Sequence, residues 1–211
     1  MRIIGGGDRS SDPQKYYKDA QLLEAALKED PTSTRDAFYL AQSYRDAEMP
    51  ELAIKSYEKR VEMGGWDQEV FWSLYQIARL KEEMGAPQEV VSQSYEKAFL
   101  QRPTRVEPLC QLATYYRKQG NYLLGYLLSK LGTEIKPSDD VLFVEAWMYE
   151  YGLLLERSIC AYYLEKYQEA LDLSNRLLTN DQLPSHVVDC LRSNLRFILD
   201  KMPKEADIVK K

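Results

Sequence analysis

Histidine is nearly missing from these 211 residues, and His186 is the only one. A zinc centre or a histidine-based triad would have to be built around that single imidazole, and no ligand spacing surrounds it. Cysteine is scarce too. Cys110, Cys160 and Cys190 are odd in number, far apart and form no C-x-x-C pair, which excludes a disulfide framework. They are expected to be small buried helix residues. No apolar run approaches the ~18 residues of a membrane span. The longest, 123–128 and 151–155, are short and each contains a glycine. Residues 1–7 lack the ~7–15-residue apolar stretch of a signal peptide, so a cytoplasmic location is expected. A basic excess is also absent. Lys and Arg total 28 against 33 Asp and Glu, for a net charge of -5, which argues against general nucleic-acid binding. Gly5-Gly6-Gly7-Asp8 is not followed by the Lys-Ser/Thr of a phosphate loop, and it reads as a flexible lead-in. No segment alternates with period two, so no strand is expected.

What is present is repetition. Ser56-Tyr57-Glu58-Lys59 recurs as Ser94-Tyr95-Glu96-Lys97. An apolar-Ala pair occurs at Leu40-Ala41, Ile77-Ala78 and Leu112-Ala113, and Pro103 and Pro137 close successive helical stretches. Within each unit the apolar period is helical. In 36–47 apolar residues fall at 37, 40, 41, 44 and 47, and Pro50 can open the next helix because the first turn needs no N–H donor. Gly120-Asn121 turns the chain between helices at 108–118 and about 122–134. Asp139-Asp140 reads as a pair of polar caps opening a further helix. The chain reads as all-α, in helix pairs of ~34 residues.

That spacing resembles the tetratricopeptide repeat (TPR). The third unit carries Leu109, Leu112-Ala113, Tyr116, Gly120, Tyr122, Gly125 and Pro137; the first has Ala37, Leu40-Ala41, Tyr44, Ala53 and Tyr57. The second has Leu74, Ile77-Ala78, Gly85, Val91, Tyr95, Ala98 and Pro103, and a weaker fourth has Tyr167, Ala170 and Leu177. The resemblance implies a right-handed superhelix, a solenoid of TPR-like helix pairs with a concave groove. Residues 1–14 are expected to be a lead-in, 15–182 a capping helix plus three to four pairs, and 183–211 a C-terminal capping helix with a frayed tail.

Four strings are similar to a narrower family: Phe38 through Asp46, Ser73 through Arg79, Arg102-Pro103-Thr104-Arg105, and Tyr149-Glu150-Tyr151-Gly152. They resemble the helical C-terminal region of family 2 glycosyltransferases, and residues 5–13 resemble the tail of the preceding catalytic domain. That resemblance implies either a fragment of such an enzyme, helping to form an acceptor site, or a free-standing relative of its tail. No nucleotide-binding sheet or Asp-x-Asp pair is present, so no catalytic residue carries over and the chain is not expected to be an enzyme by itself.

The register puts Phe38, Gln42 and Arg45, then Trp72, Tyr75 and Arg79, then Arg117, toward the groove. The arginines are candidates for a clamp on carboxylate or phosphate, and the aromatics for flat contacts. A protein or peptide, or an associated catalytic domain, is the expected partner. No cofactor or metal is expected. Trp147, Tyr149, Tyr151, Tyr162 and Tyr163 form an aromatic cluster that either packs between units or recognises a partner.

Overall fold

The computed structural model describes residues 14–202. The triglycine lead-in and the charged tail after Met202 lie outside them. Ten α-helices and one π-helical turn make up the described residues, with no strand among them. The helices are α1 Lys15–Glu29, α2 Thr34–Asp46, α3 Pro50–Glu62, α4 Asp67–Glu83 and α5 Gln88–Gln101. They continue as α6 Glu107–Lys118, α7 Tyr122–Thr133, α8 Leu153–Tyr163, α9 Tyr167–Leu178 and α10 Ser185–Lys201. Contacts group them into two compact units, one ending at Arg102 and the other starting at Pro103.

Four tight turns generate the hairpins α2–α3, α4–α5, α6–α7 and α8–α9. Each contains one residue in the left-handed region: Glu48 at φ 58°, Gly85 at 70°, Gly120 at 76° and Glu165 at 60°. Each has the same pair of bonds. The left-handed residue's N–H reaches the carbonyl three back, as in Gly120 to Arg117 at 3.0 Å, and the next N–H reaches five back, as in Asn121 to Tyr116 at 2.9 Å. Met49 to Tyr44, Ala86 to Lys81 and Lys166 to Ala161 repeat it, each at 2.9–3.0 Å. This is the Schellman closure, which satisfies carbonyls left open at a helix end.

The turns set the packing register. At the same step before each turn sits a small buried residue: Ala41, Ala78, Ala113 and Ser158. After it sit Ala53, Gly125 and Ala170, each five residues beyond the left-handed residue, and Val91, six beyond Gly85. In three of the four hairpins both positions are small, and in α4–α5 the second is the larger Val91. At Gly125 the approach is tight: a Cβ there would stand 3.1 Å from the Ala113 carbonyl of α6 and 2.8 Å from Cys160 Sγ of α8. Tyr57 and Tyr95, the tyrosines of the repeated tetrapeptide, are equivalent and fully buried.

In the first unit α1 packs on α2, and each later helix packs on the next. Ser33 caps α2, its Oγ accepting from the Asp36 N–H at 3.3 Å and donating to the Asp36 carboxylate at 2.8 Å. The Tyr44 hydroxyl donates to Glu24 on α1. Burial and the Glu24 carboxylate push that phenol up to about 12. Arg60 is fully buried and fastens the α3–α4 turn, donating to Glu69 at 2.8 and 3.0 Å and to the Gly64 carbonyl at 2.6 Å.

The second unit interrupts its repeat after α7 with a long connector, 134–147, and the π-helical turn Met148–Gly152. Arg105 fixes that connector. Its fully buried guanidinium donates to Glu107 at 2.7–3.0 Å, to Asp140 at 3.1 Å, and to the Leu142 and Phe143 carbonyls at 3.1 Å. The Glu145 N–H donates back to Glu107 at 3.2 Å. Asp139 and Asp140 therefore open no helix. Asp140 is an acceptor for Arg105, and the connector runs irregularly to residue 145. On α8, Arg157 donates to Glu169 of α9 at 2.5 and 3.0 Å. Burial alone would raise the Glu169 pKa, but hydrogen bonds from Arg157 and Tyr126 outweigh it and hold the carboxyl below its ordinary 4.5. α10 packs on α9 and α8 through Val187, Leu191 and Ile198.

The cysteines do not share one environment. Cys110 and Cys160 are buried, but Cys190 is exposed on α10, against the expectation for all three.

Candidate functional site

Seven residues were expected on the groove side, and the structure divides them. Phe38, Trp72 and Tyr75 are core, at 2%, 7% and 0% exposure. The Tyr75 ring lies parallel to Phe71 at 6.1 Å and tilted against Trp72 at 5.5 Å. None of the three offers a flat face to a ligand. Their periodicity is the core's, because α2 is gripped by both α1 and α3, and α4 by both α3 and α5.

Gln42, Arg45 and Arg79 behave differently. Arg45, on the last turn of α2, donates from Nη1 to the Gln76 Oε1 of α4 at 3.3 Å and pairs with Asp46 at 2.8 Å. Arg79 lies one turn beyond Gln76. Its guanidinium stands 5.9 Å from the Tyr75 ring centre and reaches Glu83 only at 3.8 Å. Both arginines keep partial exposure, at 26% and 36%. Tyr57 of α3 lies within electrostatic range of both. Burial drives its phenol pKa up, while the charges of Arg45 and Arg79 both act to lower it. The Tyr57 hydroxyl is buried beside Arg45 without a well-formed hydrogen bond. Gln42 Nε2 on α2 and Gln76 Nε2 on α4 are also buried and unmet among the described residues. Buried donors left unmet are rare in folded proteins, and each costs about 1–3 kcal/mol. Gln76 had escaped the sequence reading. Its only signal was its place between Trp72 and Arg79 on the same helix.

Arg117 belongs to the second unit, and its fork is filled. Nε and Nη2 donate to the Glu156 carboxylate of α8 at 2.6 and 3.1 Å. The aromatic cluster also divides. Tyr149 donates to the Thr104 carbonyl and accepts from the Val106 N–H, each at 3.2 Å. Trp147 and Tyr151 meet at 5.7 Å, and Tyr163 stacks on Tyr122 at 4.0 Å.

Among the described residues no cluster of three or more His, Cys, Asp or Glu could hold a metal ion, and no helix is long and apolar enough to cross a membrane.

No protein-family model matches the chain, and no curated protein matches it either. Solved structures do match. The C-terminal part of a TPR repeat-containing protein from Cytophaga hutchinsonii superposes with a TM-score of 0.62 at 16% identity, over 80% of this chain and 61% of that one. This chain therefore spans under two thirds of that structure. The fold is TPR-like. A tetratricopeptide repeat protein from Parabacteroides merdae gives a TM-score of 0.64 at 17% identity, over 89% of this chain and 68% of that one. YrrB, described as a TPR protein with an unusual peptide-binding site, gives 0.59 at 15% identity, over 86% and 85%. At these identities the likeness establishes the TPR-like, all-α helical repeat fold, a solenoid class, and nothing finer. None of the three is described as a glycosyltransferase.

Proposed function

We propose that the chain is a non-catalytic interaction module that binds a carboxylate-bearing peptide on the α2–α4 face. Arg45 and Arg79 receive the carboxylate, and the Gln42 and Gln76 amides serve the peptide backbone. The observation that carries this reading is the Arg45–Gln76 hydrogen bond, which ties Arg45 to the helix that bears Arg79, with two partly exposed guanidiniums and two unmet amide donors on the same pair of helices. Arginine's planar fork suits a carboxylate. Arg117 is left out because Glu156 already occupies it. The peptide-binding site named for YrrB belongs to YrrB, and it makes a peptide the first ligand class to try here. In this reading α1 and α10 are the end caps of the array, as repeat arrays require.

The attachment to a glycosyltransferase rests on the four strings alone. Most of their residues have packing roles. Phe38, Ala41 and Tyr44 are core, as are Leu74, Tyr75 and Ala78; Arg105 fixes the connector; and a Cβ on Gly152 would strike the Trp147 ring at 2.7 Å. A role in shaping an acceptor site is the second reading.

The test is fluorescence anisotropy with labelled peptides of equal length, one set ending in a free carboxylate with an acidic residue beside it, the other amidated and neutral. Arg45→Ala and Arg79→Ala should each weaken the acidic set by about ten-fold, the value of one charge-assisted hydrogen bond. Equal binding of both sets, or unchanged affinity in both variants, removes the reading.

A further inference from the structure

The second unit holds a cleft of about 440 Å³, separate from the α2–α4 face. It lies between the end of α7, the start of α8 and the end of α9, and the interruption of the repeat builds it. The connector contributes Glu134 through Pro137 and the π-helical turn contributes Tyr149. Long connectors and π-turns recur at functional sites. The floor is apolar, formed by Ile135, Leu153 and Leu154. Three cations line the cleft, Lys136, Arg157 and Arg176, against one carboxylate, Glu134.

The cations are not equivalent. Arg157 is spoken for by Glu169, and it stands as a fixed, neutralised wall. The side chains of Lys136 and Arg176 are exposed and make no hydrogen bond or ion pair among the described residues. Arg176 sits in the last turn of α9, where a cation complements the helix dipole. That role does not involve Lys136, which stands on the connector. In a chain of net charge -5, two unpaired cations beside an apolar floor are a local reversal of sign. The mouth residues Glu134, Lys136, Pro137 and Arg176 are all exposed. Small-molecule pockets enclose about 70–90% of their ligand. This open cleft instead fits a chain segment lying across it.

We propose that the cleft docks a short acidic peptide segment. Lys136 and Arg176 take its carboxylates, and an adjacent large apolar side chain rests on Ile135, Leu153 and Leu154. This site goes beyond the α2–α4 face and stands or falls independently of it.

The experiment is NMR titration of the full ¹⁵N-labelled chain with a soluble peptide carrying Asp-Leu-Glu-Phe in a Gly-Ser frame, and with its Asn-Leu-Gln-Phe twin. Amides of 132–136 and 153–157 should move with the acidic peptide and hold still with the twin. Lys136→Glu and Arg176→Glu should each weaken binding at least about five-fold. Melting should be unchanged in Lys136→Glu, whose side chain has no partner to lose, and slightly lowered in Arg176→Glu, which sets an anion at the C-terminus of α9. Arg45→Ala should have no effect on these shifts. Equal response to the twin, unchanged binding in both charge reversals, or no shift in these segments would overturn the proposal. Shifts confined to 42–45 and 76–79 would overturn it and leave the α2–α4 reading standing. Inorganic phosphate moving the same amides at lower concentration than the peptide would make this a small-anion site and overturn the peptide assignment.

Discussion

Glu48 and Glu165 occupy left-handed positions that glycine takes at the two equivalent turns, Gly85 and Gly120. An L-residue there costs roughly 1–2 kcal/mol, partly offset because glycine loses more chain entropy on folding. Glu48→Gly and Glu165→Gly are each expected to stabilise the chain by about 0.5–1 kcal/mol in urea unfolding. A loss of stability in both would mean that the turns are not strained. The thiols give a second expectation. Burial pushes the Cys160 pKa up to about 12 and raises that of Cys110 well above its ordinary value, whereas Cys190 is exposed. One thiol should react promptly with Ellman's reagent in the native chain, and all three after unfolding. At this scale the sequence was readable where one residue type has one use. Gly85 and Gly120 mark their turns openly, while Glu48 and Glu165 take the same conformation unannounced. Phe38, Trp72 and Tyr75 misled for another reason. A helical wheel shows which face is apolar, but a helix held on two sides buries residues that the wheel assigns to a groove.

Helices were the most legible elements. Lys15–Glu29 and the helix after Pro184 stand where their apolar spacing puts them, and the repeated Ser-Tyr-Glu-Lys places equivalent tyrosines in two hairpins. The connector 134–147 was not legible. Its anchor, Arg105, lies far upstream, and no local pattern links it to Asp140, Leu142 and Phe143. The same distance hid the role of Asp140, which locally resembles a helix cap. Arg105 and Glu107 are both fully buried, so removing one charge strands the other. Arg105→Ala is expected to cost about 3–5 kcal/mol and to open the connector to protease ahead of α8. Denaturation at the wild-type midpoint, with the connector still protected, would show that the ion-pair network does not hold it.

At the scale of the described residues, the TPR-like fold uses one device four times: a Schellman-closed turn with a small buried residue seven before the left-handed residue and a buried one five or six after it. Tertiary likeness survives at 15–17% identity to the solved structures because few positions carry that device. The partner-binding reading asks more of the sequence. Arg45 and Arg79 were legible as cations in register, but Gln76, which accepts from Arg45 on the helix that bears Arg79, was not. The central claim is that both guanidiniums act on one carboxylate. A double-mutant cycle with Arg45→Ala, Arg79→Ala and the double variant, read as binding of a single acidic peptide, tests it most directly. Shared action on one group predicts a coupling energy of about 1 kcal/mol or more, with the double variant little worse than the poorer single one. Effects that add to within about 0.5 kcal/mol would contradict a common site.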